Sequence, residues 1–101
     1  MAQTGTPVVR DGYLYVAGCR PLPVGSAAWF TWLQTARLFS YQASQGDRLT
    51  LRKEKRRQGD YWYAYLKRNR KLHNAYAGRS AALTPERLAS LLALLRQKVR
   101  D

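Results

Sequence analysis

The stretch RRQGDYWYAYLKRNRK, Arg56 to Lys71, sets four aromatic rings between two clusters of positive charge. Guanidinium and ammonium groups at this density suit phosphate oxygens, which they meet through charge-assisted hydrogen bonds. Rings interleaved with such cations suit unpaired bases, which stack on aromatic faces whatever their sequence. The same alternation also describes a β-strand that turns one row of side chains into a core. The surrounding elements have to decide between these uses.

Catalytic chemistry is hard to assemble from the remaining side chains. His73-Asn74 has the look of a nuclease pair, but the chain holds one histidine, too few for a metal set. Cys19 is the single cysteine and has no base companion, so it reads as a structural thiol. Asp47, Glu54 and Asp60 sit in turns or strands within a basic field, not as an acid–base pair. The seven glycines are scattered at turns and form no phosphate-cradling loop. The expectation is a protein without catalysis, metal or cofactor.

Charge points to a polyanionic partner. The 101 residues carry a net +12, and Arg48–Arg79 contributes eleven basic residues opposed by Glu54 and Asp60 alone. Such self-repulsion destabilises a fold unless a polyanion neutralises it, and released counterions then drive binding. The candidate contacts are Arg52, Lys53, Lys55, Arg56, Arg57, Trp62, Lys67, Arg68, Arg70, Lys71, His73 and Arg79. The bland reading is that this charge serves only solubility. No run of eighteen apolar residues exists, and MAQTGTPVVRDG lacks a secretory pattern. A lone thiol fits the reducing cytoplasm.

The elements that must position these residues follow from periodicity. Residues 1–7 are small and polar and read as a frayed start, with one domain from 8 to 101. Val8 to Gly18 is β-prone around a possible Asp11-Gly12 turn, as two short strands or a strand and a loop. Ser26 caps a helix whose Trp29, Trp32, Leu33 and Ala36 share an apolar face. Phe39 to Gly78 reads as a meander of three to four antiparallel strands, with turns at Gln45-Gly46-Asp47, Gln58-Gly59-Asp60 and Asn69. A last helix starts at Thr84 and Pro85, with Glu86 in its first turn and Leu83 and Leu88 spaced as a hydrophobic staple. Its stripe Leu88, Leu91, Leu92, Leu95 and Val99 is expected to lie on the sheet. The fold class is therefore α+β, an antiparallel meander packed on a C-terminal helix with an additional N-terminal helix.

Strand parity leaves two assignments of the sheet. With Tyr61, Tyr63 and Tyr65 outward, they form a platform for unpaired bases. With the tyrosines inward, Trp62 emerges beside the basic residues. A core of Leu49, Leu51, Tyr63, Tyr65, Leu72 and Tyr76 is self-consistent, which favours the tyrosines inward.

The run from Trp29 to Leu88, with its WF-x-WL helix, RKEKRR, G-x-YWYAY, Y-x-GRS and LTPERL pieces, resembles a bacterial module. That module is fused ahead of large ATP-dependent LuxR-type, MalT-like regulators. The K-L, Y-x-GRS and LTPERL pieces are also similar to the arm-type DNA-binding domain of tyrosine recombinases, whose plan plant ethylene-response-factor domains share. The resemblance implies a sheet that enters the major groove of duplex DNA with a helix behind it. It also implies a role in transcription regulation or a mobile-element process, with a recombinase or regulator as a possible partner. Asn69-Arg70-Lys71 and His73-Asn74-Ala75 depart from the Gly-Lys turn and further basic residues usual there. Duplex DNA is thus the expected partner. RNA or single-stranded binding on the tyrosines, or a protein-interaction module, are the alternatives.

Overall fold

The computed structural model describes residues 6–43, 46–68 and 70–100, residue 100 through its backbone alone. Strands β1 (Val8–Arg10), β2 (Tyr13–Tyr15) and β3 (Leu22–Pro23) precede helix α1 (Ala27–Thr35). The meander β4 (Leu38–Gln42), β5 (Arg48–Arg56), β6 (Gly59–Arg68) and β7 (Lys71–Gly78) follows, then a 3-10 turn (Ser80–Ala82) and helix α2 (Pro85–Arg100). The strands form one sheet in the order β3-β2-β1-β4-β5-β6-β7.

The local signals in the sequence act as anticipated. Asp11 and Gly12 take φ of 52° and 83° between paired Arg10 and Tyr13, the two positive values that a type I′ hairpin needs. Ser26 Oγ accepts the Trp29 N–H at 3.2 Å and opens α1. Thr84 Oγ1 accepts the Arg87 N–H at 3.1 Å and opens α2, with Leu83 and Leu88 both buried beside it. Gln45 and Asn69, expected in turns, lie outside the described residues. Of the expected frayed start, Pro7 is already tied to the sheet, its carbonyl accepting the Ser40 N–H at 2.8 Å.

The sheet is larger than the expected meander and it is mixed. β1 lies parallel to β4, pairing Val8 with Ser40 and Val9 with Tyr41. Parallel neighbours need a long crossover, and the segment containing α1 provides it. The strand itself was legible around the Asp11-Gly12 turn, but its pairing with a partner thirty residues away leaves no local pattern, so periodicity missed that pairing. Both edges are protected against pairing with other chains. β3 is two residues long and ends in Pro23. On β7, Arg87 donates to the carbonyls of Tyr76 (2.8 Å) and Ala77 (3.1 Å), and Lys98 donates to that of Asn74 (2.7 Å).

One face of the sheet holds the core, and both helices pack there. α1 contributes Trp29 and Leu33, and α2 contributes Leu88, Leu91, Leu92 and Leu95. The sheet answers with Val9, Leu14, Phe39, Leu49, Leu51, Trp62, Ala64, Leu66, Ala75 and Ala77. Trp62 is fully buried, its ring edge-on to Phe39 at 5.2 Å and its Nε1–H donating to Ser80 Oγ at 2.9 Å. This reverses the favoured assignment of the faces. Leu51 pairs with Ala64, so the parity of Leu49 and Leu51 selects Trp62, Ala64 and Leu66 for the core, not the tyrosines. Leu72 and Tyr76, expected inside, are 61% and 51% exposed.

Candidate nucleic-acid interface

Neither α1 nor α2 covers the second face of the sheet. Across the meander it presents Arg48, Thr50, Arg52, Glu54 and Arg56 from β5, then Tyr61, Tyr63, Tyr65 and Lys67 from β6, and Leu72, Asn74 and Tyr76 from β7. Register sets these side chains in rows: Thr50 beside Tyr65 and Asn74, and Arg52 beside Tyr63 and Tyr76. Alternation along each strand keeps the rows on one side, so a single register fixes the whole surface.

Aromatic rings and guanidinium groups interleave on this face. Tyr76 packs against Tyr63 at 5.6 Å and Tyr61 at 6.0 Å between ring centroids. Arg56 lies over the Tyr63 ring and Arg79 over the Tyr61 ring, each at 4.9 Å. Arg79 also donates to Tyr61 Oη at 2.9 Å and to the Gln58 carbonyl at 3.2 Å. Stacking occupies the face of a guanidinium and leaves its edge for hydrogen bonds. Arg79 gives part of that edge to Tyr61 and Gln58, and Arg56 gives part of its edge to Glu54. The remaining N–H groups can meet phosphate oxygens. At the far side Arg10 lies over Tyr15 at 4.5 Å, extending the pattern to the N-terminal strands.

Glu54 is the carboxylate that the β5–β7 part of this face carries against Arg48, Arg52, Arg56 and Lys67. It accepts from Arg56 at 2.6 Å and from the Tyr65 hydroxyl. The hydrogen bond to Glu54, with burial second, raises the Tyr65 phenol above its ordinary range. Arg52 acts in the opposite direction and lowers it. Arg52 and Lys67 make no ion pair among the described residues.

The twelve residues expected to contact a partner separate by position. Arg52, Arg56 and Lys67 stand on the open face, and Arg79 reaches its rim. Lys55 and Arg57 are exposed at the β5–β6 hairpin end, and Arg70 and Lys71 at the β6–β7 turn. Arg70 takes a positive φ of 66° there. His73 pairs with Leu66 on the helix side, half-buried. Arg68 is engaged with Asp47, whose other oxygen accepts from Arg96 Nε at 2.6 Å, so its charge ties the β4–β5 turn to α2.

Two of the expected contacts are core residues. Trp62 is sealed inside, as described above. Lys53 is 8% exposed and continues the parity of Leu49 and Leu51. Its ammonium donates to the carbonyls of Leu33 (2.6 Å) and Gln34 (3.1 Å), capping the C-terminal end of α1 where a cation is favoured. It also lies 5.3 Å from the centre of the Trp62 ring. Burial pushes this ammonium below the usual lysine range, with Asp60 opposing the shift and Arg37 adding to it.

Arg48, Thr50, Leu72, Asn74 and Tyr76 were not among the expected contacts. Arg48 and Thr50 share the parity of Arg52, and that signal alone could have found them. Among the described residues no group of three or more His, Cys, Asp or Glu could hold a metal ion. No helix of the described residues is long and apolar enough to cross a membrane. Comparison with protein-family models, curated proteins and solved structures gives no significant match.

Proposed function

We propose that the protein binds nucleic acid without catalysis, laying an unpaired strand across the open face of β5, β6 and β7. The observation that carries this reading is the outward row of Tyr61, Tyr63, Tyr65 and Tyr76 among arginines, on a sheet whose other face holds the whole core. Cross-strand tyrosine pairs stabilise a sheet by themselves, by about 0.2–1 kcal/mol each. That role does not call for Tyr76 and Leu72 to stand more than half exposed among cations. Bases stack on the rings, and Arg48, Arg52, Arg56 and Lys67 neutralise the phosphates between them.

Duplex DNA is the second reading, favoured by the β5–β6 hairpin. β4 pairs with β5 only as far as Arg52, and β7 pairs with β6 only from Trp62 onward. The end between Glu54 and Tyr61 is thus a two-stranded ribbon carrying Lys55, Arg56 and Arg57. A major groove of about 12 Å admits such a ribbon. The resemblance to recombinase arm domains, with α2 behind β6 and β7, supports the same mode.

Affinity for a single strand and for the duplex of the same sequence separates the two. The single strand should bind more tightly, with log K falling against log salt at a slope of about −3 if four cations each meet a phosphate. Tyr63→Ala should weaken it by about 1–3 kcal/mol, while Arg57→Ala leaves it unchanged. Tighter duplex binding that depends on Arg57 and not on Tyr63 would transfer the function to the hairpin end.

A further inference from the structure

The open face has a depression at the end away from the β5–β6 turn. Arg48, Thr50 and Arg52 of β5, Tyr65 and Lys67 of β6 and Leu72 of β7 line a cleft of about 390 Å³. Ligand pockets run from about 300 to 1,000 Å³, so this one has room for a single compact unit and not for a run of several. Its lining combines three cations with an aromatic ring, an aliphatic side chain and a hydroxyl.

We propose that this cleft holds one nucleotide unit, its base between Tyr65 and Leu72 and its phosphate on Arg52 and Lys67. The assignment deepens the single-strand reading and rests on it. Leu72 is the first argument: at 61% exposure it is the most open of the large apolar side chains of the described residues, and it lines the same cleft as Arg48, Arg52 and Lys67. Leu72 pairs with Lys67 and stands one diagonal step from Tyr65 on the adjacent strand, so an aliphatic and an aromatic side chain flank a slot for a flat apolar body. The second argument is charge. Arg48 is tethered to Gln42 Oε1 at 3.3 Å, whereas Arg52 and Lys67 have no carboxylate partner among the described residues. Two free cations beside an apolar slot match a ligand that is anionic at one end and flat and apolar at the other. A nucleotide is that ligand. Free phosphate lacks the flat body, and a hydrophobic peptide lacks the charge.

Tyr65 is held for this use. Its hydroxyl donates to Glu54, which fixes the ring in the cleft wall. The polar rim offers Thr50 Oγ1 as a neutral donor and acceptor for a base edge.

The test uses the full chain with two sets of probes. In backbone amide NMR titrations, adenosine 5′-monophosphate should shift Thr50, Tyr65 and Leu72. Its midpoint should lie about tenfold below those of adenosine or inorganic phosphate, because only the nucleotide engages both halves of the cleft. Leu72→Ala, at an exposed position that leaves the core untouched, should weaken a labelled oligonucleotide about tenfold, as should Tyr65→Ala, while Tyr65→Phe keeps most of the affinity. Equal midpoints for nucleotide and phosphate, or shifts elsewhere, overturn the assignment. An oligonucleotide that binds both alanine variants as tightly as the original chain also overturns it, leaving the open-face reading intact. A cleft that takes the mononucleotide in a protein that binds no oligonucleotide upholds the cleft and overturns the strand reading alone.

Discussion

The two faces of the sheet hold similar residue types for opposite reasons. The helix side buries Trp29, Phe39 and Trp62 in edge-on contact and encloses one lysine, Lys53, with carbonyl partners. On β5–β7 the open side carries four tyrosines among its cations, two of which, Arg56 and Arg79, are stacked on those rings. Aromatic and basic residues alone therefore do not identify a binding surface. What distinguishes the faces is the remainder of each row: Leu49, Leu51, Ala64, Ala75 and Ala77 on one side, Thr50, Arg52 and Asn74 on the other. A tyrosine can lie half in water with its hydroxyl satisfied, whereas phenylalanine has no polar handle and gains most by complete burial.

The largest consequence concerns Trp62 and its neighbour Tyr63, which point to opposite faces. Trp62→Ala should cost about 3–5 kcal/mol, enough to unfold much of a small domain, since it removes a sealed ring and orphans Ser80. Tyr63→Ala should cost about 1 kcal/mol or less, its ring being half open. Melting temperatures of the pair measure this, and a reversed order would turn the two faces around. Leu92→Ala on α2 belongs with Trp62, with an expected loss of about 2–5 kcal/mol.

Lys53 sharpens the comparison at intermediate size. Lys53→Met keeps the stem but leaves the carbonyls of Leu33 and Gln34 without their donor, for a loss of about 1–3 kcal/mol. Oligonucleotide affinity should stay as it was. The same substitution at Arg52 should do the converse, sparing the melt and weakening binding.

Smaller still is a gain. Glu54→Gln removes the carboxylate of the open face and should tighten single-strand binding roughly threefold, about 0.7 kcal/mol, with an effect that fades in high salt. Unchanged or weaker binding would mean that the phosphates pass elsewhere.

The smallest effect is a titration. Because the folded Tyr65 phenol ionises above its ordinary value, its contribution to stability is full below pH 10 and falls as pH rises through the folded value. The alkaline absorbance difference between the original chain and Tyr65→Phe should place the Tyr65 transition above the ordinary tyrosine range, and Glu54→Gln should lower it.

How far the sequence could be read follows the same division. The meander, the Asp11-Gly12 turn and the caps of both helices rest on local chemistry and were legible. The faces were not, because β6 is apolar on both sides and the decision passes to its neighbours. Leu49 and Leu51 pointed the right way, but Leu72 and Tyr76 looked more like core than Ala75 and Ala77. The alanines are inside because α2 lies close over β7, and small side chains leave room for it. Lys53 followed the core parity, yet its acceptors belong to a helix end twenty residues earlier, which only the folded chain brings near. The Asp47 contacts with Arg68 and Arg96 likewise join three distant segments, and they withdraw Arg68 from the expected surface.

The central claim is that the uncovered sheet face, and not the helix face, meets a nucleic acid. Its most direct test is a backbone amide NMR map of the protein titrated with a short single-stranded oligonucleotide. Shifts should concentrate at Thr50, Arg52, Tyr63, Tyr65, Asn74 and Tyr76 and leave α2 from Leu88 to Leu95 unmoved. Shifts centred on α2, or none at low salt, would contradict it.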